Sequence, residues 1–242
     1  MTVLLLPSPF LGPSASRPLV EALRRAGRDA VLADASDPGS GTELVARWAG
    51  AACRADALVA HSNAGYLAPL VQAAVDPGHP LVLVDAALPP ARGTTRLAPD
   101  GFRDHLAGLA DDDGLLPPWT RWWDEADLAA VVPAEHRAAV EADCPRVPLA
   151  YVDSSVTAPA EWTDGPSAYL AYGDTYADEV AAATSYGWPV ARLDGGHLHH
   201  LVDPETVAAE IVRLLGSLED RSWGPARVVP GHDREDDLHS TP

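Results

Sequence analysis

The segment 57–65 reads Ala-Leu-Val-Ala-His-Ser-Asn-Ala-Gly, and it constrains the fold more than any other stretch. A short apolar run ends at His61 and Ser62, and small residues follow at once. Apolar residues at helical spacing come next: Tyr66, Leu67, Leu70 and Val71. This order predicts a buried strand, a sharp turn and a helix, with a serine at the turn.

A serine at the apex of such a turn points its hydroxyl away from the sheet. The backbone N–H of the following residue faces a helix N-terminus, where negative charge is stabilised. The arrangement suits attack by Ser62 on a carbonyl carbon, and it approximates the G-x-S-x-G turn with Ala60 at the first glycine. We expect close helix–strand packing at Gly65. The alternative interpretation is a serine whose hydroxyl caps the next helix.

A histidine far downstream supports the first interpretation. Pro189 to Leu193 has strand character, and Asp-Gly-Gly at 194–196 is a turn signal. His197 then lies on a loop at the end of a strand, from which it can reach a serine elsewhere on the sheet edge. It is the predicted general base for a hydroxyl that is weakly nucleophilic at neutral pH.

The histidines around 197 also allow a metal site. His197, His199 and His200 are all possible ligands. No carboxylate partner or second cluster of Cys, His or Asp accompanies them in the sequence. We therefore predict no metal and expect His199 and His200 to be solvated loop residues.

A carboxylate is needed to hold the imidazole in the correct tautomer. A strand predicted over 168–172 is followed by a turn that contains Asp174, which is our first candidate. Asp178 falls about one turn into the next helix and is the weaker choice, and a helix N-cap is the alternative role for Asp174. Asp153, after a strand predicted over 148–152, is a third candidate.

Strands and helices alternate along the chain. Strands are predicted over 3–6, 29–32, 57–61, 80–84, 148–152, 168–172 and 189–193. Helices are predicted over 17–26, 43–53, 64–75 and 206–215. This alternation predicts an α/β fold with a mostly parallel sheet and helices on both faces. Ligand sites of such sheets lie beyond the carboxyl ends of the strands, where all the candidate residues fall.

The order of serine, acid and histidine, each after a predicted strand, resembles the α/β-hydrolase fold. The resemblance covers residues 1 to about 216 and is closest to small bacterial or methylesterase-like members that lack the first two strands. It implies a nucleophile at Ser62, a base at His197 and an acid at Asp174. It also implies a helical cap over the site.

The resemblance places an oxyanion hole after the first strand. Ser-Pro-Phe at 8–10 occupies the position of the family's His-Gly-X motif. Proline has no N–H to donate, so the backbone N–H of Phe10 is the candidate, paired with that of Asn63. The alternative is an ordinary loop before the next helix.

Residues 89–145 do not continue the alternation of strands and helices. We predict a cap insertion there, with helices near 102–109 and 134–142. The predicted core comprises 1–88 and 146–216, and residues 217–242 are predicted to be a disordered tail. Trp119, Trp122 and Trp123 fall within five residues of the insertion. With Tyr66 and Phe10 they are candidates for a substrate pocket, although large aromatic residues most often serve as packing.

Composition limits the partners. The net charge is −18, and all 17 basic residues are arginine, so the surface repels nucleic acid and anionic membranes. The first apolar run is too short to span a bilayer and lacks a basic leader, and two cysteines do not suggest a disulfide framework. We expect a cytoplasmic protein. No dinucleotide or phosphate-binding glycine motif follows a strand, so we expect no cofactor.

These observations favour a serine hydrolase that acts on a small-molecule ester or thioester through an acyl-enzyme. Two alternatives stay open. The first is a cyclase or acyl transferase with the same fold in a bacterial biosynthetic pathway. The second is a small-molecule binding protein that keeps the catalytic residues with little turnover. The sequence does not indicate the oligomeric state.

Overall fold

The apolar runs of the sequence form the strands of one parallel sheet in the computed structural model, which describes residues 1–220. The strands in chain order are β1 (Thr2–Leu6), β2 (Asp29–Leu32), β3 (Ala57–Ser62), β4 (Leu81–Ala86), β5 (Thr94–Arg96), β6 (Ser155–Thr157), β7 (Ser167–Tyr172) and β8 (Val190–Leu193). Six of them form the sheet in the order β2-β1-β3-β4-β7-β8, with every neighbouring pair parallel. β5 and β6 form a separate antiparallel pair.

Helices cover both faces of the sheet, as predicted. They are α1 (Arg17–Arg25), α2 (Gly41–Ala52), α3 (Ala68–Val75), α4 (Asp100–Leu109), α5 (Glu125–Val131), α6 (Ala134–Asp143), α7 (Leu149–Asp153), α8 (Ala177–Ser185), α9 (His199–Val202) and α10 (Pro204–Glu219). α1 and α10 share one apolar core with one face of the sheet, and α2, α3 and α8 share the core of the other. Within residues 1–220, no helix combines the length and apolar character that a bilayer crossing requires.

Side-chain caps set the beginnings of two of these helices. Ser40 accepts a hydrogen bond from the backbone N–H of Glu43, and the Glu43 carboxylate accepts one from the backbone N–H of Ser40. This reciprocal capping box satisfies donors that the first turn of α2 leaves free. The Asp203 side chain accepts from the backbone N–H of Thr206 and caps α10 in one direction only.

One predicted strand is wrong. Residues 149–153 form the short helix α7, and β7 pairs directly with β4, so no strand of the insertion lies between them. Tyr151 and Val152 of this helix are fully buried, so their apolar character reflects packing within the insertion. A short apolar run does not by itself distinguish a buried helix from a buried strand.

The insertion between β4 and β7 contributes no strand to the large sheet. It contains the predicted helices near 102–109 and 134–142 as α4 and α6, together with α5 and the β5–β6 pair. The sheet resumes only at Ser167, so the insertion continues past the predicted end at 145. Residues 217–219, predicted to begin a disordered tail, belong to α10, and 221–242 lie outside the described residues.

Gly65 lies where the turn after β3 meets the end of β4. A Cβ atom built on Gly65 would lie 2.0 Å from the carbonyl oxygen of Ala87 and 2.9 Å from the Cβ of Ala86. Both distances are shorter than carbon atoms tolerate, and the carbonyl belongs to the backbone. The predicted tight packing at this glycine is confirmed.

We predict that Gly65→Ala destabilises the protein by about 1 to 3 kcal/mol, because the turn must move away from β4 to admit the methyl group. The measurement is the free energy of unfolding from urea titration followed by circular dichroism.

Gly50→Ala is the matched control. Gly50 lies within α2, and no heavy atom lies within 4 Å of a Cβ built there. The same substitution should therefore stabilise the protein by about 0.5 to 1 kcal/mol through helix propensity. Equal effects of the two substitutions would contradict the packing argument.

Candidate active site

Three polar side chains meet at the carboxyl edge of the sheet. Ser62 is the last residue of β3, Asp85 precedes the last residue of β4, and His197 lies in the loop between β8 and α9. Because β3 and β4 are parallel neighbours, their ends lie side by side. The loop that carries His197 follows β8 at the edge of the sheet and brings His197 to the ends of β3 and β4.

Ser62 and His197 are in hydrogen-bonding contact. The Ser62 Oγ lies 2.9 Å from the Nε2 of His197. The side chain of Ser62 does not cap the following turn, so the capping alternative does not describe it. Its backbone has φ of 59° and ψ of −130°, a conformation that side-chain-bearing residues rarely adopt. Such strain costs about 1 to 3 kcal/mol and is concentrated at functional sites.

The other nitrogen of His197 contacts a buried carboxylate. The Nδ1 of His197 lies 2.6 Å from the Oδ2 of Asp85, whose residue is 0% exposed. The Oδ1 of Asp85 accepts a second hydrogen bond, of 2.9 Å, from the backbone N–H of Tyr172. An ionised carboxylate only accepts hydrogen bonds, so Nδ1 carries the proton and Nε2 is free to accept from the Ser62 hydroxyl. Asp85 therefore selects the tautomer that a general base for Ser62 requires.

None of the three carboxylates proposed from the sequence contacts His197. Asp174 points into solvent with its side chain 93% exposed, and its ion-pair partner is Arg192 at 3.4 Å. Asp178 is exposed in the first turn of α8. Asp153, at the end of α7, is paired with Arg103 at 2.7 Å. The assignment of the histidine's partner to Asp174 is corrected to Asp85.

Sequence reasoning missed Asp85 although a usable signal was present. A charged residue directly follows the apolar run at 80–84, and a polar residue at the end of a buried strand is the same signal that identified Ser62. Asp85 also has a positive φ, of 41°, so both β3 and β4 end in rarely adopted backbone conformations at this edge.

Two further histidines lie behind His197 in the protein interior. The Nε2 of His61 is 3.1 Å from the carbonyl oxygen of His197, and the two rings stack with centroids 4.8 Å apart. The Nε2 of His200 is 2.9 Å from the carbonyl oxygen of Ala15. Burial lowers the pKa of His61 well below its usual value and lowers the pKa of His200 to about 3, and neighbouring histidines contribute to both shifts. Both rings are therefore neutral near pH 7, and each donates to a backbone carbonyl.

The predicted solvated position of His200 is wrong, because its ring is buried against His61. His199 lies beside the ring of Tyr172, with centroids 5.6 Å apart. Across residues 1–220 there is no group of three or more Cys, His, Asp or Glu side chains arranged to hold a metal ion.

The two residues predicted to supply an oxyanion hole lie at the same cavity as Ser62. Phe10 and Asn63 both line the cavity in front of the serine. In the described part of the chain, neither of their N–H groups donates to another protein group. They are therefore available to a ligand oxygen, as an oxyanion hole requires.

The insertion holds the residues that carry these donors. The Asn63 side chain donates to the carbonyl of Leu97 at 2.6 Å and accepts from the hydroxyl of Tyr151 at 2.7 Å. The ring of Phe10 packs edge-on against Tyr151, with centroids 5.7 Å apart. The thiol of Cys144 donates to the carbonyl of Phe10 at 3.3 Å. Tyr151 thus contacts both residues of the candidate oxyanion hole.

A cavity of about 490 Å³ opens in front of Ser62 and His197. Its lining includes all three tryptophans proposed from the sequence, Trp119, Trp122 and Trp123. Trp119 and Trp122 are buried, whereas Trp123 is 39% exposed. The tryptophans therefore combine both predicted roles, since they form the cavity wall and pack within the insertion.

The structure differs from the prediction at two tyrosines. Tyr66 is buried and does not line the cavity. Tyr176, which the sequence did not single out, does line the cavity, and its ring centroid lies 5.7 Å from that of His197. Burial raises the pKa of Tyr176 above its usual value, so its hydroxyl remains a hydrogen-bond donor at neutral pH.

We predict that the free energy of unfolding falls as the pH decreases from about 7 to about 5. His61 and His200 stay neutral in the folded protein, whereas both bind a proton in the unfolded chain below about pH 6.5. The unfolded state then binds more protons, so stability decreases by up to about 1.4 kcal/mol per pH unit for each histidine. Urea titrations at several pH values measure this slope.

His200→Gln tests the assignment because it removes one titrating ring and keeps an N–H donor. We expect a shallower slope, by about one proton. His105→Gln, at a solvent-exposed position, is the control and should leave the slope unchanged. An identical slope in all three proteins would rule out His200 as one of its causes.

Comparison with known proteins gives a structural match without a sequence match. No family model matches the chain, and no curated protein matches its sequence. Among solved structures, it is similar to an extracellular α/β-hydrolase from a Paenibacillus species, with 14% identity and a TM-score of 0.69, over 88% of this chain and 98% of that one.

Two further structures agree. A pyrethroid hydrolase matches with 18% identity and a TM-score of 0.64, over 91% of this chain and 100% of its own. An enol-lactonase from Burkholderia xenovorans LB400 matches with 15% identity and a TM-score of 0.63, over 89% of this chain and 91% of its own. With the parallel sheet, the sharp turn at Ser62 and the insertion after β4, these matches show that the chain has the α/β-hydrolase fold.

Proposed function

We propose that this protein is a serine hydrolase that cleaves a small-molecule ester or thioester through an acyl-enzyme on Ser62. The observation that carries the proposal is the continuous series of hydrogen bonds from Ser62 to His197 to Asp85, which ends on a cavity. The fold alone does not decide the chemistry, because unrelated reactions use the same fold. A matched enol-lactonase and a matched thioesterase domain, by their names, act on bonds of the proposed kind.

Acylation follows from the geometry. The Ser62 oxygen attacks the acyl carbon while its proton passes to the Nε2 of His197. The buried carboxylate of Asp85 stabilises the imidazolium that forms. The carbonyl oxygen becomes an oxyanion and accepts hydrogen bonds from the N–H groups of Phe10 and Asn63. His197 then gives its proton to the departing alcohol or thiol, and the acyl group stays bonded to Ser62.

Deacylation uses the same groups in reverse roles. A water molecule takes the place of the leaving group, and His197 accepts a proton from it. The resulting hydroxide attacks the acyl carbon, the oxyanion forms again at Phe10 and Asn63, and the bond to Ser62 breaks as His197 returns the proton to its oxygen. Every step uses only this chain's own residues and water, so the proposal includes no cofactor or metal.

The same observations support the proposed partner and location. The cavity in front of Ser62 is mostly apolar and aromatic, which suits a small acyl substrate. Both cysteines are free thiols, Cys53 exposed and Cys144 buried, which is compatible with a reducing cytoplasm.

We predict that a fluorophosphonate probe labels the wild-type protein and does not label Ser62→Ala, because the probe reacts with an activated serine hydroxyl. His197→Ala should lose most of the labelling as well, since the Ser62 proton then has no acceptor. Gel fluorescence after labelling measures the reaction, and hydrolysis of short p-nitrophenyl esters measures turnover.

Circular dichroism of both variants is the control for folding. Labelling that survives Ser62→Ala would exclude this serine as the nucleophile. Strong labelling without ester hydrolysis would favour a non-hydrolytic acyl transfer over the proposed hydrolysis.

We predict that Asp85→Asn lowers kcat by about 10³ to 10⁴, because an amide at this position can donate to Nδ1 and stabilise the wrong tautomer of His197. Asp174→Asn makes the same chemical change at an exposed carboxylate and should leave kcat within about twofold of wild type, since surface changes of this kind are small. Steady-state kinetics with one p-nitrophenyl ester compares the two. A larger loss in Asp174→Asn than in Asp85→Asn would contradict the assignment of the acid.

A further inference from the structure

The lining of the cavity in front of Ser62 includes a carboxylate but no arginine. Among its lining residues, Asp127 and His197 are the titratable groups other than Tyr176, and no arginine lines it. The chain contains no lysine, and its net charge is −18. The field inside the cavity therefore disfavours an anionic ligand and favours a cationic one.

The aromatic walls of the cavity also favour a cationic ligand. Phe10, Phe102, Trp119, Trp122 and Trp123 all line it. The rings of Phe102 and Trp123 lie nearly parallel, with centroids 6.3 Å apart and an interplanar angle of 12°. Trp119 meets Trp123 edge-on at 6.0 Å. Aromatic faces attract a cation through the ring quadrupole, and indole is the most effective of them.

Some carboxylates of the insertion are paired with an arginine, and others, including Asp127, are not. Glu125 is paired with Arg137, Glu141 with Arg121, and Asp111 with Arg146. Within residues 1–220, the carboxylate of Asp127 has no ion-pair partner. It is exposed in α5 while also lining the cavity, so its charge is not neutralised by the protein.

We propose that the Asp127 carboxylate and the indole of Trp123 form a cation subsite in this cavity, and that the ligand carries an ammonium group. For an ester substrate, the ammonium lies on the acyl or the alcohol portion. It is close enough to the carbonyl that Ser62 attacks for both groups to fit in the same cavity. This inference rests on the proposed hydrolase function only where it calls the ligand a substrate. The subsite itself depends only on the cavity's charge and walls.

The expected preference is modest because Asp127 and Trp123 are both partly in contact with solvent. A cation over an exposed ring and a cation beside an exposed carboxylate each gain little, so we expect the two together to give about a tenfold preference in affinity.

The test compares two ligands of equal shape and different charge. Benzoylcholine carries a trimethylammonium group, and 3,3-dimethylbutyl benzoate is its neutral carbon isostere. Binding of each to Ser62→Ala is measured by quenching of tryptophan fluorescence, so that hydrolysis plays no part. We expect benzoylcholine to bind about tenfold more tightly than the isostere.

Two further variants locate the preference, each in the Ser62→Ala background. Asp127→Asn and Trp123→Leu should each reduce the ratio of the two affinities by about threefold or more. Asp112→Asn removes the same charge from an exposed position in the insertion that does not line the cavity, and it should leave the ratio unchanged. Circular dichroism establishes that each variant is folded.

Equal or weaker binding of benzoylcholine would overturn the proposal, and so would the absence of binding by either ester. An equal reduction of the affinity ratio in Asp127→Asn and Asp112→Asn would also overturn the proposal, because the preference for the cation would then be a general effect of net charge. Failure of the hydrolase function is recognised separately, because wild type would then lack probe labelling while the preference for the cation in Ser62→Ala persists.

Discussion

The position of His197 between a buried carboxylate and a serine hydroxyl is the interaction on which the site depends. Asp85 is fully buried and accepts hydrogen bonds from His197 and from the backbone of Tyr172. A buried carboxylate without such partners would be strongly unfavourable, so the contact stabilises the acid and orients the imidazole together. The strained backbones at Ser62 and Asp85 oppose this gain, and the parallel pairing of β3 and β4 maintains them.

A neutral histidine ring, that of His61, packs behind His197. His61 stacks on His197 and contacts its backbone carbonyl, and burial keeps the His61 ring uncharged. A charged ring at this distance would oppose the protonation of His197 that the proposed general-base step requires. The buried position of His61 therefore supports the loop that carries His197 and keeps a neutral ring beside it.

The insertion after β4 does more than cover the sheet. Tyr151 contacts Asn63 through a hydrogen bond and Phe10 through its ring, so the candidate oxyanion donors are positioned from above by the same segment that supplies the cavity wall. In the proposed mechanism, substrate shape and oxyanion geometry are coupled through this segment. A change within the insertion that moves Tyr151 would affect both, although Tyr151 itself does not line the cavity.

The sequence by itself determined the features that local patterns carry. Alternating apolar runs and turns predicted most strands of the sheet and the helices on both faces, and the small residues after Ser62 predicted the tight turn. His197 could be proposed because it follows a strand and a glycine turn. What failed was the distinction between strand and helix over 149–153, where a run of five residues is compatible with either.

Only the tertiary structure decided which carboxylate meets His197. Asp85 and Asp174 both follow apolar runs, so local sequence does not distinguish them. Their environments differ because β4 is the direct neighbour of β3 in the sheet, whereas β7 lies one strand further away. Asp174 then turns outward after Gly173 toward Arg192 and solvent, while Asp85 is enclosed beside Ser62. Strand order is a property of contacts between segments distant in sequence, and no local pattern encodes it.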